Sequence, residues 1–156
     1  MTLSLPLARI RDEAERFFRN AIQTAVAQDG LADVLTAFRN FPTGSCGKAT
    51  AMLCIHLQNV GLGTWSYVMA SQVRAGAGYR THAWAAREGI VLDVTGSQFP
   101  GRPDIWLDEP DDWFARWKAA APNRDICLAL SHARREAGGG PARLHRARGR
   151  DRERGA

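Results

Sequence analysis

The sequence predicts an α+β fold: N-terminal helices and a Cys-bearing helix packed on a small antiparallel sheet. Three observations carry that expectation. Apolar residues recur at three- and four-residue spacing up to about residue 60, the period of a helix with one buried face. After Gly63 the pattern changes to short β-rich runs separated by glycine turns. Helices first and strands afterwards, without regular alternation, place the sheet in an antiparallel α+β class.

The elements follow in order. Pro6 to about Gln28 reads as an amphipathic helix, with Leu7, Ile10, Ala14, Phe17 and Ala21 on one stripe. Ser4 is placed to cap it, Pro6 falls near its first turn, and Asp29-Gly30 ends it. Leu31 to about Phe38 forms a second, shorter helix. The turn Phe41-Pro42-Thr43-Gly44-Ser45 then opens a helix at Cys46 that runs to Asn59-Val60-Gly61, where Gly61 stops it. Cys46, Ala49, Leu53, Leu57 and Val60 make its core stripe, with Met52 and His56 flanking. Thr64 to Val73, Tyr79 to Ala86 and Ile90 to Thr95 read as strands, turned at Ala75 to Gly78 and around Glu88-Gly89. Asp111-Asp112 caps a helix through Trp113 and Trp117. Asp125 to Leu130 is left open between strand and helix.

Length and composition bound the rest. The chain has 156 residues, 45% of them hydrophobic, enough for one domain with a core. That domain is expected over residues 1–136. The remainder, 137–156, is Gly- and Arg-rich with almost no apolar content and is expected to be a disordered tail. No run of about 18 apolar residues occurs, so no membrane span is expected, and Met1 to Arg9 lacks the order of a secretory signal. The three cysteines, at 46, 54 and 127, are odd in number and form no CxxC pair. A disulfide framework is therefore not expected, and a reducing cytoplasm fits best.

The net charge of +5 resides beyond Ser131, from His132 to Ala156. Thirteen basic and thirteen acidic residues cancel between Met1 and Ser131, and the excess arginines follow. Arg143, Arg146, Arg148, Arg150, Arg152 and Arg154 are interrupted by Asp151 and Glu153 and have no aromatic residue to stack on bases. A nucleic-acid partner is not expected from a basic tail alone.

The chemistry-bearing residues are Cys46, His82 and Asp93. A thiol at a helix N-terminus meets the positive end of the helix dipole, which favours thiolate. His82 follows 36 residues later and Asp93 another 11, on consecutive strands. If the Glu88-Gly89 connection has two or four loop residues, paired positions sum to 177. His82, Trp84, Asp93 and Thr95 then share one face, and Ile90, Leu92 and Val94 share the other. His82 and Asp93 become diagonal neighbours, roughly 7–8 Å apart at the backbone. A three-residue loop with Gly89 as a bulge would instead send Asp93 to the opposite face. Because Glu is a poor occupant of a positive-φ site, four residues is the favoured even length.

In that arrangement Cys46 is the nucleophile, His82 the base and Asp93 the orienter. The Cys46 N–H is one oxyanion donor, and Asn40 or Ser45 a candidate second. Trp84 flanks the imidazole, and Gln98 is placed to line the cleft. Cys54 and Cys127 read as structural, and His56 as packing or surface. The spacing of Cys46, Cys54, His82 and Cys127 matches no zinc pattern, so no metal is expected. The glycine-rich pieces lack the lysine of a phosphate loop, and no cofactor is expected.

Gly44-Ser45-Cys46-Gly47-Lys48-Ala49, His82-Ala83-Trp84 and Asp93-Val94-Thr95 together resemble the papain-like and transglutaminase-like cysteine superfamily. Within it they are similar to small bacterial transglutaminase-like proteins, including leader peptidases that mature lasso peptides. The resemblance spans roughly Phe41 to Phe99. It implies a Cys-bearing helix on an antiparallel sheet carrying His and Asp, and a Cys-His-Asp triad working through a thioester on a peptide or protein substrate. Water as acceptor makes a peptidase or deamidase; an amine makes a transglutaminase or acyltransferase. A catalytically silent member of the same fold, binding a peptide or protein in the cleft, is the alternative.

Overall fold

The computed structural model describes residues 6–26, 38–76 and 78–124. The Ser4 cap, the Asp29-Gly30 stop, the 31–38 helix up to Ala37, the 125–130 segment, Cys127 and the 136/137 boundary with its tail lie outside the described residues.

Helix α1 spans Leu7–Val26 and α2 spans Cys46–Asn59. Strands β1 (Ser66–Val73), β2 (Tyr79–Arg87), β3 (Ile90–Asp93) and β4 (Trp106–Asp108) follow, then a one-turn helix α3 (Asp112–Ala115) and β5 (Lys118–Ala119). The five strands form one antiparallel sheet in the order β4-β3-β2-β1-β5. The fold is α+β.

Helix α2 begins and ends where glycine turns require it. Gly44 and Gly61 have φ of 69° and 78°, a region open to glycine at little cost. Beyond Val60, the Leu62 N–H donates to Leu57 O at 2.8 Å, closing the helix with a bond of the Schellman kind. The buried surface of α2 is wider than one stripe: Thr50, Ala51, Cys54 and Ile55 join Ala49, Leu53 and Leu57. The helix is held on two sides, which explains the extra burial. Glu13 of α1 meets His56 at 2.7 Å, and Thr50 Oγ1 donates to Ala83 O of β2 at 3.2 Å.

The β2–β3 hairpin has the register that sums to 177, with Ala85 opposite Leu92 and Arg87 opposite Ile90. Its loop is two residues rather than four. Glu88 adopts φ 50° and Gly89 φ 79°, the paired positive values of a type I′ turn. The twist of that turn matches the strands, and this outweighs the local cost of a left-handed glutamate.

The sheet separates two clusters. Ala83, Ala85 and Leu92 face α1 and α2, packing with Ile10, Leu53 and Leu57. Val68, Ala70, Trp84 and Val91 face the other way, against Phe114 and Trp117. The expected helix through Trp117 is cut short at Ala115. Arg116 and Trp117 donate to carbonyls three residues back, and the chain then turns into β5, which pairs with β1. The short strands β4 and β5, of three and two residues, carry too few positions to show alternation in sequence.

Candidate functional site

His82 lies on the second face, as the register requires, and is fully buried at 0% exposure. The β2–β3 ladder ends at Ala85–Leu92, so among the described residues no strand pairs with β2 at His82 on that side. A 3₁₀ turn, Gly96–Gln98, follows Asp93 there. Gly44, two residues before Cys46, donates its N–H to Gln98 Oε1 at 3.4 Å. The turn before α2 and the turn after β3 therefore meet beside the imidazole.

Asp93 is the immediate partner. Its Oδ2 stands 2.7 Å from His82 Nε2. Its Oδ1 accepts from the Thr95 N–H at 2.8 Å and from Thr95 Oγ1 at 3.2 Å. A buried carboxylate is costly unless its lone pairs are matched, and here three donors match them. Gly96 allows this close approach, since a Cβ there would lie 3.1 Å from Asp93 Oδ2.

With Nε2 given to Asp93, Nδ1 is the nitrogen left to face Cys46 and Gln98. The Cys46 side chain, half-buried at the first position of α2, lies near enough to His82 to help raise its pKa. Burial of the ring opposes its charge. The contacts with Asp93 and Cys46, and then the negative charge of those two groups, outweigh burial and push His82 up to about 9.

Four aromatic rings surround the imidazole. Phe99, Trp117, Trp113 and Trp84 lie 4.9, 5.6, 5.7 and 5.8 Å from its centroid. Trp84 thus flanks the ring as expected from its place on β2. The other three were not singled out from the sequence. The density of tryptophan between residues 106 and 117 was the available signal, but nothing local ties it to β2. Arg80 stacks over Phe99 and Trp117, at 4.9 and 5.2 Å, and is anchored by Gln72 Oε1.

The weaker candidates divide. Gln98 is at the site: its Nε2 is 3.0 Å from Thr95 O and 3.4 Å from His82 Nδ1. Both amide hydrogens are thereby directed at those atoms, which argues against an oxyanion role. Ser45 is buried and its backbone N–H donates to Pro42 O at 3.2 Å, so that N–H is engaged elsewhere. Its hydroxyl makes no capping bond to α2. Asn40 is an exposed turn residue. Cys54 is buried in the core, and His56 serves the α1–α2 contact.

Among the described residues, no cluster of three or more His, Cys, Asp or Glu is disposed to hold a metal ion. None of their helices is long and apolar enough to cross a membrane. A cleft of about 550 Å³ lies at the other end of the hairpin, lined by Ser66, Arg87, Glu88 and Arg124 among others, and includes none of the site residues. No protein-family model, curated protein or solved structure matches the chain.

Proposed function

We propose that the protein is a cysteine-dependent amide hydrolase or acyl-transfer enzyme of papain-like or transglutaminase-like type, acting on a peptide or protein in a reducing compartment such as the cytoplasm. The observation that carries this reading is the chain of contacts from Cys46 through the His82 ring to Asp93, with the Asp93 bond at 2.7 Å. A thiol, an imidazole and a carboxylate linked in that order are what nucleophilic acyl transfer needs.

In this mechanism the proton shared by Cys46 and His82 Nδ1 rests on the ring, which is raised to about 9, and the sulfur attacks the amide carbonyl carbon as thiolate. The electron pair of the C=O moves to oxygen, facing N–H groups at the start of α2, Cys46 N–H among them. As the C–N bond breaks, His82 returns the proton to the departing nitrogen, leaving a thioester. Water or an amine then attacks, giving a proton to His82, and the C–S bond breaks to restore the thiol. Asp93 keeps Nε2 protonated so that Nδ1 serves as base. Trp84 and the three facing rings exclude water from the pair.

The test is mass-resolved alkylation of the folded protein, with turnover of peptide amides. Iodoacetamide modifies Cys46 well ahead of buried Cys54, and Cys46→Ala removes turnover and the acyl intermediate. Equal modification of Cys46, Cys54 and Cys127, or full turnover by Cys46→Ala, rejects the reading. The complete burial of His82 favours one alternative, a silent binding module of the same fold. Peptide binding unchanged by Cys46→Ala, with no acyl intermediate in the unmutated protein, selects it.

A further inference from the structure

The Gln98 amide is oriented by two backbone groups. Its Oε1 accepts from the Gly44 N–H at 3.4 Å, and its Nε2 donates to Thr95 O at 3.0 Å. Turning the amide over would set NH₂ against N–H and oxygen against a carbonyl, losing both contacts. The nitrogen so fixed lies 3.4 Å from His82 Nδ1. Because the neutral ring gives its Nε2–H to Asp93, Nδ1 then carries the lone pair, and Gln98 meets it donor to acceptor. When Nδ1 is protonated, the same contact becomes donor against donor.

We propose, resting on the acyl-transfer reading above, that Gln98 is a positioning residue: its backbone-clamped amide donates to His82 Nδ1 and favours the neutral imidazole. A base that must return its proton to a leaving nitrogen works poorly if the proton is held too firmly. Two groups facing His82 hold it: Asp93 from β3 and Cys46 from α2. Arg80 of β2 stands behind Phe99 and Trp117. Arg102, paired with Asp111 at 2.7 Å, stands over Trp113. The aromatic rings themselves offer no titrating group. Gln98 is the neutral dipole that opposes Asp93 and Cys46, and its bond to Gly44 couples that opposition to the turn carrying the nucleophile.

The experiment is an NMR titration of the His82 ring nitrogens in Cys46→Ala protein, comparing Gln98 with Gln98→Met and Gln98→Glu. Loss of one opposing donor raises the midpoint in Gln98→Met by about half to one pH unit. Gln98→Glu, which puts an acceptor there, raises it further, while the neutral ring stays protonated at Nε2 in all three. If Gln98→Met does not fold, Gln98→Asn, too short to span the contacts, is expected to show the same rise. An unchanged or lowered midpoint overturns the proposal. The titration needs no turnover, so failure to detect enzyme activity would reject the acyl-transfer reading and leave this result to be judged separately.

Discussion

Towards α2 the sheet presents Tyr67, Ala83, Ala85 and Leu92, and the space between is filled by Ala49, Leu53 and Leu57. On its opposite face the same strands carry His82, Trp84 and Asp93 beneath Phe99, Trp113 and Trp117. The first face is held by apolar burial, which is non-directional and tolerates small shifts. The second buries a titratable pair, tolerable only while each polar atom keeps its partner. The apolar packing and the buried His82–Asp93 pair thus lie on different sides of one sheet, with Cys46 approaching the pair from the start of α2, and substitutions on the two sides should separate.

The largest separation is expected between Leu53→Ala and Asp93→Asn. Leu53→Ala should cost about 2–5 kcal/mol in urea unfolding and leave the specific activity of folded protein nearly unchanged. Asp93→Asn should lower turnover by roughly a thousandfold or more by losing the imidazole's orienting carboxylate. Comparable activity losses in both variants would erase the distinction between the faces.

A matched pair of glycines tests it more finely. Gly63 has φ 86°, and a Cβ there would meet the Arg87 guanidinium, which donates to Leu62 O at 2.8 Å. Gly63→Ala should cost about 2 kcal/mol or more from strain and the displaced arginine, with the site intact. Gly96→Ala crowds Asp93 Oδ2 instead, and a loss of kcat of about tenfold is expected from a slightly displaced orienter. Urea midpoints and kcat measured on both variants decide whether the effects cross over as stated.

Proton linkage distinguishes the faces next. His82 is raised from 6.5 to about 9, so its stabilisation is fully present below pH 6.5 and is lost as pH rises through 9. Wild type should lose stability relative to His82→Phe between those values, by an amount on the order of a few kcal/mol. Parallel stability curves for the two proteins would show that the imidazolium contributes nothing.

The smallest effect belongs to Glu13 and His56, which join α1 to α2. The His56 hydrogen bond holds the Glu13 carboxyl below its usual range, so this stabilisation is present above pH 4.5 and lost as pH falls through the lowered value. The pair is partly exposed, and solvent screening limits Glu13→Gln to below about 1 kcal/mol in urea unfolding.

Much of this was legible in the residues. The bounds of α2 follow from Gly44 and Gly61, and the shared face of His82 and Asp93 follows from an even hairpin loop. The loop length was not: Glu88 is locally disfavoured at positive φ, and only the strands on either side impose it. Neither β4 nor β5 offers a period to read.

Local sequence therefore determined which segments are helix or strand and which side chains alternate together, because periodicity and turn chemistry act over a few residues. The tertiary structure alone decided that the 3₁₀ turn at Gly96–Gln98 would touch the Gly44 turn, and that Phe99, Trp113 and Trp117 would enclose His82. Those contacts join residues up to 54 positions apart, and they form only once the layers pack and the β2–β3 ladder ends where it does.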